Sequence, residues 1–81
     1  MAGTWAKQRI MLRKLLREMR CRHGLTQTEL AKRLGRPQSY VSKVESGERN
    51  LDFVDVYEIC RCCGEGFEDF AVRFVQAIKQ K

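Results

Sequence analysis

The sequence predicts an all-α fold, five helices around one core, on three observations. Apolar residues recur at three- and four-residue intervals, glycines fall at the ends of these periodic segments, and a length of 81 residues suits a single domain with one hydrophobic core. At 43% hydrophobic and 32% charged, with six Gly and one Pro, the chain is too apolar for disorder and too regular for low complexity.

The first helix is expected from Trp5 to Cys21, a stretch without Gly or Pro in which Leu12, Leu15, Leu16 and Met19 form the inward stripe. His23 and Gly24 close it, Gly24 being suited to the left-handed position that ends a helix. Thr26 and Glu29 form a capping box, so a second helix runs from about Gln27 to Leu34, buries Leu30, Ala31 and Leu34, and stops at Gly35. Pro37, tolerated in a first turn because its missing amide would be unpaired there, opens a third helix over Gln38 to Glu45. Val41, Val44 and a shielded Glu45 face inward, polar residues fill the outer face, and Ser46 and Gly47 end it. A fourth helix from about Phe53 to Cys63 buries Val56, Ile59, Cys60 and Cys63. After a break at Gly64 to Gly66, a fifth carries Phe67, Phe70, Phe74 and Ile78 on one face.

Sixteen basic against ten acidic residues give a net charge of +6. By thirds of the chain, divided after residues 23 and 50, the balance runs +6, +2 and −2, so the basic end is N-terminal. That surplus favours an anionic partner such as nucleic acid. No apolar run approaches the roughly 18 residues of a membrane span and no secretory leader is visible, so a cytoplasmic chain without membrane association is expected.

Four cysteines, Cys21, Cys60, Cys62 and Cys63, could form two disulfides in a secreted protein, but the missing leader argues for reduced thiols. A zinc site built from them with His23 would lack the paired C-x2-C knuckles of zinc modules. Cys60 and Cys63 instead share the stripe of Val56 and Ile59 and are expected to pack as small hydrophobes. No metal or cofactor is expected.

Two short helices joined by a tight glycine turn, following a basic first helix, form a helix-turn-helix unit. Its second helix fits a major groove about 12 Å wide, where Gln pairs with adenine, Lys donates to guanine and Ser serves either way. An enzyme is disfavoured, because His23 has no neighbouring acid in sequence and no phosphate-cradling glycine loop occurs.

From Leu16 to about Phe70 the chain resembles the phage-repressor and Cro-type, or xenobiotic-response-element, helix-turn-helix family. The resemblance lies in GLTQTELAKRLGRPQSYVSKVESGERNL, Gly24 to Leu51, whose combined pieces are far more specific than any one of them. It implies a lambda-repressor-like five-helix domain spanning residues 1–81, with the second and third helices as the helix-turn-helix. It also implies a sequence-specific regulator of transcription binding double-stranded DNA, with repression as the expected sense.

Carried over by position, Gln38, Ser39, Ser42 and Lys43 are expected at base edges. Gln27, Arg36, Tyr40, Arg49 and Asn50 are expected on the DNA backbone, with Lys32 and Arg33 as additions to that footprint. Arg20 and Glu45 match a structural ion pair that clamps the first helix to the third. Other readings stand beside these: capping for Gln38 and Ser39, and packing or simple exposure for Tyr40; Arg13, Lys14 and Arg17 of the first helix are open between a solvated face and contact with DNA.

Antitoxins and restriction-modification controllers share the architecture, as do transcriptional bridging modules that dock on proteins. Docking would want exposed apolar anchors on the third helix rather than Gln38, Ser39 and Lys43. A homodimer on a palindromic operator is expected, with Phe70, Phe74 and Ile78 of the fifth helix at its interface. The competing arrangement is a monomer in which Phe74 and Ile78 pack on Trp5 and Leu12.

Overall fold

The computed structural model describes the backbone of residues 2–80 and the side chains of residues 6–80. It contains α1 (Ala2–Arg22), α2 (Gln27–Leu34), α3 (Gln38–Ser46), α4 (Phe53–Cys63) and α5 (Phe67–Lys79), with no strand among the described residues. The all-α prediction holds, and α2, α4 and α5 match the segments read from sequence. α1 extends beyond both expected ends.

Local chemistry sets the helix boundaries. Thr26 Oγ1 accepts from the Glu29 amide at 3.0 Å and Glu29 returns the bond to the Thr26 amide at 2.8 Å. Asp52 and Asp55 repeat this box at the start of α4, a cap the sequence reading passed over because it uses Asp in both places. Pro37 sits at the N-cap of α3 in an extended conformation, one position earlier than a first-turn role, and no side chain caps this helix. The capping alternative for Ser39 is therefore not realised. Gly35 lies at φ 69°, where an L side chain is strained, and this left-handed residue lets α3 fold back across α2.

The core comprises Leu16, Met19, Leu25, Leu30, Ala31, Tyr40, Val41, Val44, Ile59, Cys60, Cys62, Cys63 and Phe70, with Leu12, Leu15, Leu34, Leu51, Val56 and Phe67 packed around it. α1 packs against α3, α4 and α5; α2 packs against α3 and α4. Cys60 and Cys63 are free and buried as expected, and burial pushes their thiols up to about 12 and about 11. Cys62 is buried as well. Its thiol donates to the Arg33 carbonyl at 3.5 Å, while the Arg33 guanidinium donates to the Cys62 carbonyl at 2.9 Å, which ties the end of α2 to the end of α4.

Two expectations need correction. Phe70 is only 3% exposed and belongs to the core of its own chain, so it is not available to an interface. It is the residue of the α5 stripe that closes the core over α1 and α4, which makes it inward by geometry. Tyr40 is 7% exposed and likewise packs inward, leaving little surface for a DNA backbone contact. Phe74 is half-buried and Ile78 exposed. Beside Ile78, an open groove of about 400 Å³ lined by Lys7, Ile10, Met11, Lys14 and Ala77 separates the far ends of α1 and α5. The side chain of Trp5, invoked for the monomer arrangement, lies outside the described residues.

Two charged clusters fasten the helices. Arg20 meets Glu45 through two bonds, Nε to Oε2 at 2.7 Å and Nη2 to Oε1 at 3.0 Å, with both side chains over 90% shielded. Its remaining Nη1 donates to the Leu25 carbonyl at 2.7 Å. Glu65, between α4 and α5, takes Arg22 and His23 on Oε1, while Arg73 Nε lies 3.4 Å from Oε2. Burial alone would raise the Glu65 carboxyl, but the hydrogen bonds from Arg22 and His23 and the positive charges nearby hold it below the ordinary carboxylate range.

Glu45→Gln, which strands the Arg20 guanidinium, should cost about 3 kcal/mol in urea unfolding, the lower part of the range for breaking a shielded pair from one side. Because Glu65 is depressed in the folded state, its stabilisation is present above the ordinary carboxylate pKa of about 4.3 and is lost as pH falls through the lower folded value. The urea midpoint of the wild type should thus fall as pH drops from the ordinary carboxylate range through that lower folded value, and more steeply than that of Glu65→Gln. Parallel midpoints for the two proteins across that range would show that Glu65 contributes nothing.

Candidate nucleic-acid interface

The side chains assigned to base reading are Gln38, Ser39, Ser42 and Lys43, and the structure places them on one side of α3. Tyr40, Val41 and Val44 turn into the core, which forces the intervening positions outward by helical geometry. Gln38, Ser39 and Lys43 are exposed and Ser42 is half-buried. No apolar anchor interrupts this face.

Gln38 is not loose. Its Nε2 donates to Gln27 Oε1 at 2.8 Å, and Gln27 Nε2 donates to Glu45 Oε1 at 3.0 Å. A relay therefore runs Gln38, Gln27, Glu45, Arg20, from the exposed start of α3 to a shielded guanidinium on α1. The hydrogen bonding that Arg20 donates to Glu45 is the chief reason the Arg20 pKa is raised, against the opposing effect of burial. Gln27 sits at the first position of α2, and its amide is used at both ends, the oxygen accepting from Gln38 and the nitrogen donating to Glu45.

Arg36 precedes α3 and Arg49 follows it, yet both stack on the Tyr40 ring, with Cζ 4.6 Å and 4.9 Å from its centroid. The inward ring thus holds the two cations that flank the polar face. An amide bond from Arg49 to the Lys43 carbonyl at 3.1 Å fixes the loop after α3, and Asn50 beside it is exposed. Arg33, expected to widen the footprint, instead spends its guanidinium on α4, whereas Lys32 stays exposed.

Arg13, which the sequence left open between a solvated face and a DNA contact, lies against the end of α3. A β-carbon on Gly47 would come within 2.6 Å of the Arg13 Cζ. The Glu65 cluster was missed, since nothing local to Glu65 points to partners 42 and 43 residues away.

Among the described residues no cluster of His, Cys, Asp and Glu could hold a metal ion, and no helix is long and apolar enough to cross a membrane. The arrangement suits non-covalent recognition: polar groups on a protruding helix, with cations at both of its ends.

A helix-turn-helix family model matches residues 16–70. No curated protein sequence matches the chain. Among solved structures, an XRE-family like protein from Pseudomonas syringae pv. tomato is 40% identical, with 94% of each chain covered and a TM-score of 0.83. The restriction-modification controller protein C.AhdI from Aeromonas hydrophila is 31% identical over 76% of this chain and 94% of its own, with a TM-score of 0.68. The controller C.Esp1396I, 20% identical with a TM-score of 0.83 over 90% of this chain and 96% of its own, shares the fold. With α2 and α3 in place and the outer face of α3 polar from end to end, the chain belongs to the XRE-type helix-turn-helix family of DNA-binding transcriptional regulators.

Proposed function

We propose that the protein is a cytoplasmic, homodimeric repressor that reads a palindromic duplex by laying α3 of each protomer in the major groove. The observation that carries this reading is the exposed polar face of α3, braced from behind by the Gln27–Glu45–Arg20 relay and flanked by the stacked Arg36 and Arg49. Gln38, Ser39, Ser42 and Lys43 serve the base edges; Gln27, Arg36, Arg49 and Asn50 serve phosphates. Repression follows from occupancy, a bound dimer excluding other proteins from the same stretch of duplex.

A dimer is supported by what α4 and α5 leave uncovered. Val72, Val75 and Ile78 are exposed beside half-buried Phe74, and Phe53 and Tyr57 on α4 meet Phe67 edge to face, at centroid distances of 5.0 and 5.8 Å. Phe53 itself is 74% exposed. Apolar side chains of this size usually mark an interface, and a twofold pair reads two half-sites about 34 Å apart. The interface proposed is accordingly Phe74 and Ile78 with Val75, without Phe70.

A second reading, a controller of a restriction-modification operon, is favoured by the 31% identity with the Aeromonas hydrophila controller. Selection of bound fragments from random DNA, followed by location of the selected site in the genome, decides between the two. A site upstream of nuclease and methyltransferase genes supports the controller.

On the selected duplex, Gln38→Ala should reduce the ratio of specific to non-specific affinity by about 1 to 3 kcal/mol per half-site with folding intact. An unchanged ratio removes Gln38 from the reading set. Val75→Glu should sediment as a monomer at micromolar concentration and lose affinity for the two-half-site duplex more than for a single half-site. A variant as dimeric as the parent would move the interface elsewhere.

A further inference from the structure

We infer that Arg13 is a further DNA-backbone contact, through which α1 extends the interface past the C-terminal end of α3. The inference rests on the duplex-binding reading above and adds a residue from outside the helix-turn-helix to it.

The guanidinium lies face-on against Gly47. A β-carbon there would be 2.6 Å from Cζ, 2.8 Å from Nη1 and 2.9 Å from Nε, three nearly equal distances that put the plane of the group flat on the backbone. Only glycine leaves room for this seat, and Gly47 is also held at φ 89°, in the left-handed region. The end of α3 supplies the attraction, since the last carbonyls of a helix carry partial negative charge. Among the described residues no carboxylate pairs with Arg13, and Glu48, the nearest acid along the loop, is engaged by the Ser46 hydroxyl at 3.1 Å.

The seat adjoins the surface already assigned to phosphates. Arg13, Gly47, Arg49 and Asn50 line one small depression between α1 and the loop after α3. With one face against the backbone, a guanidinium still has the N–H groups along its edge, arranged in the planar fork that suits phosphate oxygens. When α3 enters the groove, the residues after it lie along the sugar-phosphate strand. Arg13 and Arg49, delivered by different elements, then bracket the same stretch of backbone.

The competing role for Arg13 is that of a cation that merely caps α3. Affinity should be measured against salt for the full chain, Arg13→Gln, Arg13→Lys and Arg49→Gln, on the selected duplex and on a random one, together with each urea midpoint. For one lost phosphate contact, the advantage of wild type over Arg13→Gln should shrink by a factor of about 3.5 between 50 and 200 mM salt, equally on both duplexes. Arg13→Lys should recover most of the salt dependence. A wild-type salt slope in Arg13→Gln, whatever its urea midpoint, overturns the inference. If Arg49→Gln loses slope while Arg13→Gln does not, only the role of Arg13 fails; if the wild-type chain binds neither duplex, the duplex-binding reading fails with it.

Discussion

The bidentate pair between Arg20 and Glu45 is the constraint on which the rest of the arrangement depends. It joins α1 to α3, takes in the α1–α2 turn through the Leu25 carbonyl, and anchors Gln27 and then Gln38. A shielded ion pair is a poor source of net stability, because desolvating two charges offsets much of their attraction. Its value lies in direction. A guanidinium with five donors in one plane fixes the angle between the helices more tightly than apolar side chains of similar volume, which slide past one another at little cost. The orientation of the outward amides on α3 is thereby set from inside the protein.

Much of the architecture was legible because its determinants are local. The Thr26 and Glu29 box, the glycines after the first four helices and the apolar spacing of α2, α4 and α5 all act within a turn or two of the chain, and the helices lie where those signals put them. The polar face of α3 was legible for the same reason, since Val41 and Val44 fix which side is inward. What escaped were contacts between residues far apart in sequence. Arg33 resembles any exposed basic residue until Cys62 arrives opposite its guanidinium, and Glu65 resembles a loop acid until Arg22, His23 and Arg73 converge on it. Tyr40 and Phe70 escaped differently. Each sits at the margin of a stripe, where helical periodicity alone leaves facing inward or outward open, and neighbouring helices decided for inward.

The charge gradient along the chain has a structural counterpart. Basic residues dominate α1 and flank α3, whereas the first turns of α4 and α5 carry Asp55 and, in α5, Glu68 and Asp69. Acids in a first turn offset the positive end of the helix dipole, so the C-terminal acids have a local role. The bases on α1 do not share that role: its last turn holds Arg20 and Arg22, each committed to an acid elsewhere in the fold. Lys7, Lys14 and Arg17, earlier in α1, are exposed to solvent, and they add to the positive field that attracts a polyanion over long range.

The Tyr40 ring under Arg36 and Arg49 has a consequence for how recognition proceeds in time. A free arginine surrenders roughly 2 kcal/mol of rotamer freedom when it is immobilised. Two arginines already resting on a buried ring have met part of that cost during folding, so both are held near one orientation at the ends of α3. In the phosphate-gripping role proposed for them, little side-chain rearrangement would separate encounter from docking at the ends of α3, and capture there would be governed by diffusion and the surrounding field rather than by conformational search.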